Sequence, residues 1–131
     1  MQAKASILII DDDPIHLEIY RLIVEADGYK GLPVLVTLRG LEFPAHEQVD
    51  AVLLDYRLFP QISARSVALQ VKARYPSAPI LILSDMHEAP QDTAPIVQAF
   101  VRKGNPEKLL ETLRELIDLS QGKKSEKHTT D

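Results

Sequence analysis

Five polar residues of this chain could share one piece of chemistry. Asp11 with Asp12, Asp55, Ser84 and Lys103 directly or closely follow four separate apolar runs: Ile7-Leu8-Ile9-Ile10, Ala51-Val52-Leu53-Leu54, Ile80-Leu81-Ile82-Leu83 and Ala99-Phe100-Val101. Each residue alone is ordinary. If the runs are parallel strands, however, their carboxyl ends share one rim, and three carboxylates, a hydroxyl and an ammonium meet there. Crowded carboxylates repel one another, and a hard divalent cation with oxygen ligands relieves the repulsion. Magnesium is the common choice, with Asp12 and Asp55 as direct ligands and Asp11 beside them. Such a cation together with Lys103 balances the three negative charges and leaves the site able to accept an anion. A phosphoryl group is the natural anion. Asp55 would attack phosphorus as a carboxylate nucleophile, while the cation, Ser84 and Lys103 stabilise the equatorial oxygens of the transferring group.

That chemistry requires elements to hold it, and the sequence supplies them. Ile7 to Ile10 reads as a strand buried on both faces, stopping at the aspartates. Asp13 and Pro14 are an N-cap and a first helical residue, after which Ile15, Ile19, Leu22, Ile23 and Ala26 recur at helical spacing until Gly28. Further strands are expected over Pro33 to Thr37, Ala51 to Leu54, Ile80 to Leu83 and Ala99 to Val101. Ser63 caps a helix running to about Arg74 with Val67 and Val71 inward, and Asn105-Pro106 opens another carrying Leu109, Leu110, Leu113, Leu116 and Ile117. Two linkers that would hold further helices are interrupted, one by Gly40 and Pro44, the other by Pro90 and Pro95, and are expected to be short or distorted. Five strands alternating with helices predict an α/β fold: a doubly wound parallel sheet with helices on both faces. The domain is expected to span residues 1–120, with a mobile polar tail over 121–131.

Composition narrows the function. A hydrophobic share of 45% over 131 residues supports one ordinary core. With no cysteine, neither disulfides nor thiolate metal sites are available. His16, His46, His87 and His128 show no ligand spacing and are assigned no chemistry. A net charge of -4 and a pI near 5.5 argue against a nucleic-acid backbone as partner. No apolar run reaches the roughly 20 residues that span a bilayer, and Met1 to Ser6 is too short and polar for a signal peptide, so no membrane association and a cytoplasmic location are expected.

The segments ILIIDDDP, VLLDYRLFP, LILSD and FVRKG, in this order and at these spacings, resemble the receiver domains of response regulators in two-component signalling, over Ser6 to about Leu119. The resemblance implies five parallel strands in the flavodoxin-like order 2-1-3-4-5 with five helices. It makes Asp11 and Asp12 the acidic pair, Asp55 the phospho-acceptor, Ser84 the switch hydroxyl, Phe100 the switch aromatic and Lys103 the phosphate-sensing lysine. The backbone carbonyl of Arg57 would complete the magnesium site. It also implies a histidine kinase or phosphotransfer protein as donor and a downstream protein as target, and leaves a homodimer open. Such a domain catalyses its own phosphorylation from a phosphodonor and is not otherwise an enzyme. Two residues depart from the family pattern. Gly104 stands where a proline in a cis peptide is usual, and Asp85 follows Ser84 where alanine or glycine is favoured.

These departures motivate a second reading, a receiver-like interaction module with little or no phosphorylation. A third, a phosphatase resembling the haloacid dehalogenase family with Asp11 and Asp13 as its paired acids, needs a further acidic pair after the lysine. Lys103 is followed instead by Gly104, Asn105 and an amphipathic helix. Asp13 is read as a helix cap, and only the carbonyl of Arg57, not its side chain, is given a role.

Overall fold

The structure, a computed structural model, describes residues 4–45, 47–58 and 62–129, with side-chain surroundings through Ser120. Its elements run β1 (Ser6–Asp11), α1 (Pro14–Ala26), β2 (Lys30–Leu35), β3 (Ala51–Asp55), α2 (Ala64–Arg74), β4 (Ile80–Ser84), β5 (Ala99–Arg102) and α3 (Pro106–Thr129). All strand pairs are parallel, and the sheet order is β2-β1-β3-β4-β5. The continuous apolar runs of β1, β3 and β4 are the central strands, buried on both faces as their composition requires.

One face of the sheet packs Leu8, Ile10, Val52, Leu54, Ile80 and Ile82 against Ala64, Val67, Ala68 and Val71 of α2. The other packs Ile7, Ile9, Leu53, Leu81 and Leu83 against Leu17 and Val24 of α1 and Leu109, Leu113 and Ile117 of α3. Alternation along each strand therefore feeds two cores at once. The helix starts are as expected: Asp13 Oδ1 accepts from Ile15 N at 2.8 Å, Ser63 Oγ from Ser66 N at 3.0 Å, and Asn105 Oδ1 from Lys108 N at 3.0 Å.

Three expectations need correction. The second strand begins at Lys30, not Pro33, and ends at Leu35. Pro33 sits inside it, opposite Ile9, where an outermost strand tolerates the missing N–H. On α1 the regular stripe of Ile15, Ile19 and Leu22 faces outward, while Leu17 and Val24 are the buried residues. Five helices are not found: among the described residues, 36–50 and 85–98 carry turns and extended chain only. The first of these lays Leu41, Phe43 and Val49 on the α2-side core, with Phe43 edge-on to Tyr75, and so fills a helix's place without helical spacing. The helical backbone of α3 continues through Thr129. No proline interrupts Gln121 to Thr129, and lysine, glutamate and glutamine are good helix formers.

Candidate functional site

The carboxyl ends of β1, β3, β4 and β5 bring the polar residues together as the spacing implied. Asp11 and Asp55 are buried at the ends of their strands, Asp12 follows Asp11 at half exposure, and carboxylate oxygens of all three lie within 4.8 Å of one another. Lys103 reaches in from beyond β5 to place Nζ 2.5 Å from Asp55 Oδ1, a close ion pair. Its backbone is held by donating its N–H to the carbonyl of Ser84 at 2.8 Å. Gly104, where a proline was the family's usual residue, adopts φ +90, a left-handed conformation open to glycine. The lysine is thus delivered to the acids just ahead of a glycine turn.

The electrostatics follow from burial. Asp11's carboxyl is pushed up to about 7, first by burial and then by the neighbouring charge of Asp55. Burial also raises Asp55, against the pull of the Lys103 ammonium. For Lys103, burial acts downward but is outweighed by the Asp55 carboxylate, and the net shift is upward. Asp11 Oδ1 accepts from Asp13 N at 3.1 Å, whereas Oδ2 is buried with no hydrogen-bond partner. An orphaned buried carboxylate oxygen beside two further carboxylates is a donor set that fits a hard divalent cation. Asp12, Asp55 and Asp11 would hold it.

Ser84 is fully buried, and its Oγ accepts from Met86 N at 3.1 Å, tied to its own loop. Phe100 is half-buried against the α2-side core, one strand from Ser84. Arg57 pairs its side chain with Asp85: its Nε is 3.3 Å from Asp85 Oδ1, both residues being well exposed. The carboxylate at Asp85 is therefore paired with the guanidinium of Arg57.

Sequence reasoning missed His16. Its Nδ1 lies 3.6 Å from Asp11 Oδ2 and its Nε2 3.5 Å from Asp13 Oδ2. The available signal was helical: Asp13 and His16 are three apart in the first turn of α1, the spacing at which side chains meet.

No family model matches the chain. The polar-differentiation response regulator DivK of Brucella ovis is 25% identical over 104 residues, 79% of this chain and 74% of that protein. Among solved structures, a CheY-like response regulator receiver domain protein from Methanospirillum hungatei superposes with a TM-score of 0.76 at 21% identity, covering 92% of this chain and 99% of that one. The response regulator TrrA of Thermotoga maritima, solved in complex with Mg(2+)-BeF, gives a TM-score of 0.68 at 22% identity over 86% and 98% of the two chains. No helix of the described residues is long and apolar enough to cross a membrane.

Proposed function

We propose that this chain, which is similar to response-regulator receiver domains in sequence and in fold, is a phospho-acceptor switch in which Asp55 takes a phosphoryl group from a histidine kinase or phosphotransfer protein. The observation that carries this is Asp55 itself: a buried strand-end carboxylate, ion-paired to Lys103 and within 4.8 Å of two more acids. A carboxylate oxygen of Asp55 forms the new bond to phosphorus as the donor's P–N bond breaks, and the departing imidazole takes a proton from water. Lys103 is already positioned to move its ammonium from the carboxylate to the phosphoryl oxygens. Asp11, Asp12, Asp55 and the Arg57 carbonyl would hold magnesium, which when bound supplies positive charge opposite the developing negative charge of the transferring group. The Mg(2+)-BeF complex of the Thermotoga protein supports that assignment.

Loading changes what Ser84 can bond. At rest its hydroxyl serves Met86 N; a phosphoryl group on Asp55 offers a charged acceptor at the end of the adjacent strand, and charge-assisted hydrogen bonds are the stronger kind. Ser84 turning inward frees the start of the 85–98 segment and the space beside Phe100, and the altered surface binds the downstream protein. The cytoplasm is the compartment in which such a donor is met. The test is intact mass spectrometry after incubation with acetyl phosphate and magnesium. The parent gains one phosphoryl group and Asp55→Asn gains none. A variant loaded like the parent removes Asp55 from the role, and a parent that never loads favours the phosphorylation-independent interaction module.

A further inference from the structure

The same pocket presents a nitrogen donor that carboxylate chemistry does not need. His16 Nδ1 faces the one oxygen of Asp11 that is buried and unpartnered, Oδ2, at 3.6 Å. That is too long for a hydrogen bond, so the pair leaves the acceptor unsatisfied. It is close to the separation of two donors on one small cation: bonds of about 2.0–2.2 Å at a tetrahedral angle set them roughly 3.3–3.5 Å apart. The other ring nitrogen, Nε2, faces Asp13 Oδ2 at 3.5 Å, a charge contact that is likewise longer than a hydrogen bond. A ligating histidine commonly gives its second N–H to a carboxylate, which fixes the tautomer and turns the free nitrogen toward the metal. Asp11, His16 and Asp13 stand in that order. Asp12 and Asp55, each with a carboxylate oxygen within 4.8 Å of Asp11's, are near enough to provide a third donor.

From this geometry we propose that the pocket is also a site for a borderline divalent cation of the zinc class, held between Asp11 Oδ2 and His16 Nδ1, with Asp13 facing the second ring nitrogen. The proposal deepens the reading above, on which it rests for the identity of the pocket. Imidazole suits zinc, whereas magnesium prefers oxygen donors and retained waters, so His16 discriminates between the two ions. Because both ions need Asp11, zinc and magnesium exclude one another, and zinc makes the switch unloadable while it is bound.

Titration calorimetry with zinc chloride and, separately, magnesium chloride on the parent and His16→Leu tests this. His16 is half-exposed, and leucine is at home in a helix, so the variant keeps the fold. Cobalt(II) in place of zinc adds an absorption spectrum that reports nitrogen ligation. We expect zinc binding at least tenfold weaker in the variant, magnesium binding within twofold of the parent, and a cobalt spectrum that changes with loss of the imidazole. Equal zinc affinities, a parallel loss of both ions, or no zinc binding by the parent each overturn the proposal. Loading of Asp55 with magnesium alone is scored separately. Its failure with His16-dependent zinc binding intact would sink the phospho-acceptor reading and not this one, and the converse would sink only this one.

Discussion

Lys103 Nζ stands 2.5 Å from Asp55 Oδ1, so the residue expected to sense the phosphoryl group is already occupied by the carboxylate that would carry it. The resting state is thereby neutral at that point, and a cation bound by the acids competes with the lysine for the same carboxylate. Lys103→Met removes one partner of a buried charge, a change that typically costs about 3–5 kcal/mol when nothing replaces it. Because Lys103 remains partly open to solvent, the expected loss in magnesium-free buffer at pH 8 is smaller, about 2–3 kcal/mol. Magnesium should restore part of it by substituting for the ammonium. Urea unfolding of parent and variant with EDTA and with magnesium measures this, and equal loss in both buffers would mean that the cation and Lys103 do not share Asp55.

Asp12 offers the most accessible of the three carboxylates; Asp12→Ala should therefore stay folded while magnesium affinity falls at least tenfold, since a hard cation loses an anionic oxygen ligand. Calorimetric titration decides, and an unchanged affinity would move the ion off Asp12.

The raised Asp11 carboxyl makes a prediction about acid. Its pKa is about 7 in the folded chain against an ordinary 3.8, so the folded state holds this proton more tightly than the unfolded state. Its contribution to stability is fully present below pH 4, is lost as pH rises between about 4 and 7, and is flat above that range. At 1.36 kcal/mol per pKa unit the effect is at most about 4 kcal/mol, and less where Asp55 titrates with it. Without divalent ions the parent should thus lose stability relative to Asp11→Asn between pH 5 and pH 8. Excess magnesium should flatten the difference, because the cation stabilises the ionised form. Thermal melts at the two pH values check it, and a parent that gains on Asp11→Asn with rising pH in EDTA would reverse the sign.

The sheet and the acid cluster were legible because they rest on local signals: uniform apolar runs, each stopping at a polar residue, cannot slide without exposing a buried face. The rest depended on tertiary partners. The stripe of Ile15, Ile19 and Leu22 has ideal helical spacing yet faces outward, since the core accepted Leu17 and Val24 instead. Pro33 looked like a strand start until the sheet order placed it on an outer strand. The segment at 36–50 fills its share of the core with Leu41 and Phe43 along extended chain, a pattern with no period to detect. Lys103 was found from its place after β5, but the glycine turn that aims it follows from φ at Gly104. The Arg57–Asp85 and His16–Asp11 pairs join residues far apart or off-register in sequence, and only coordinates reveal such pairs.

The Arg57–Asp85 pair carries the last prediction. It links the chain leaving β3 to the chain leaving β4, at the edge of the acid cluster, with Nε and Oδ1 3.3 Å apart and both side chains well exposed. The incoming donor is an anion. With Asp85 paired, the two side chains present little net charge to it; in Asp85→Ala the freed guanidinium presents a full positive charge, suited to phosphate oxygens. Exposed pairs are worth about 0–1 kcal/mol, so the loading rate of Asp55 with acetyl phosphate should rise about two- to fivefold at low salt. It should approach the parent's as ionic strength shortens the screening length to a few ångströms. The acceleration should need Arg57: Arg57→Ala loads more slowly than the parent, and the double variant returns close to it. If Asp85→Ala accelerated loading equally in the Arg57→Ala background, the effect would be the lost carboxylate alone, and the arginine would be a bystander.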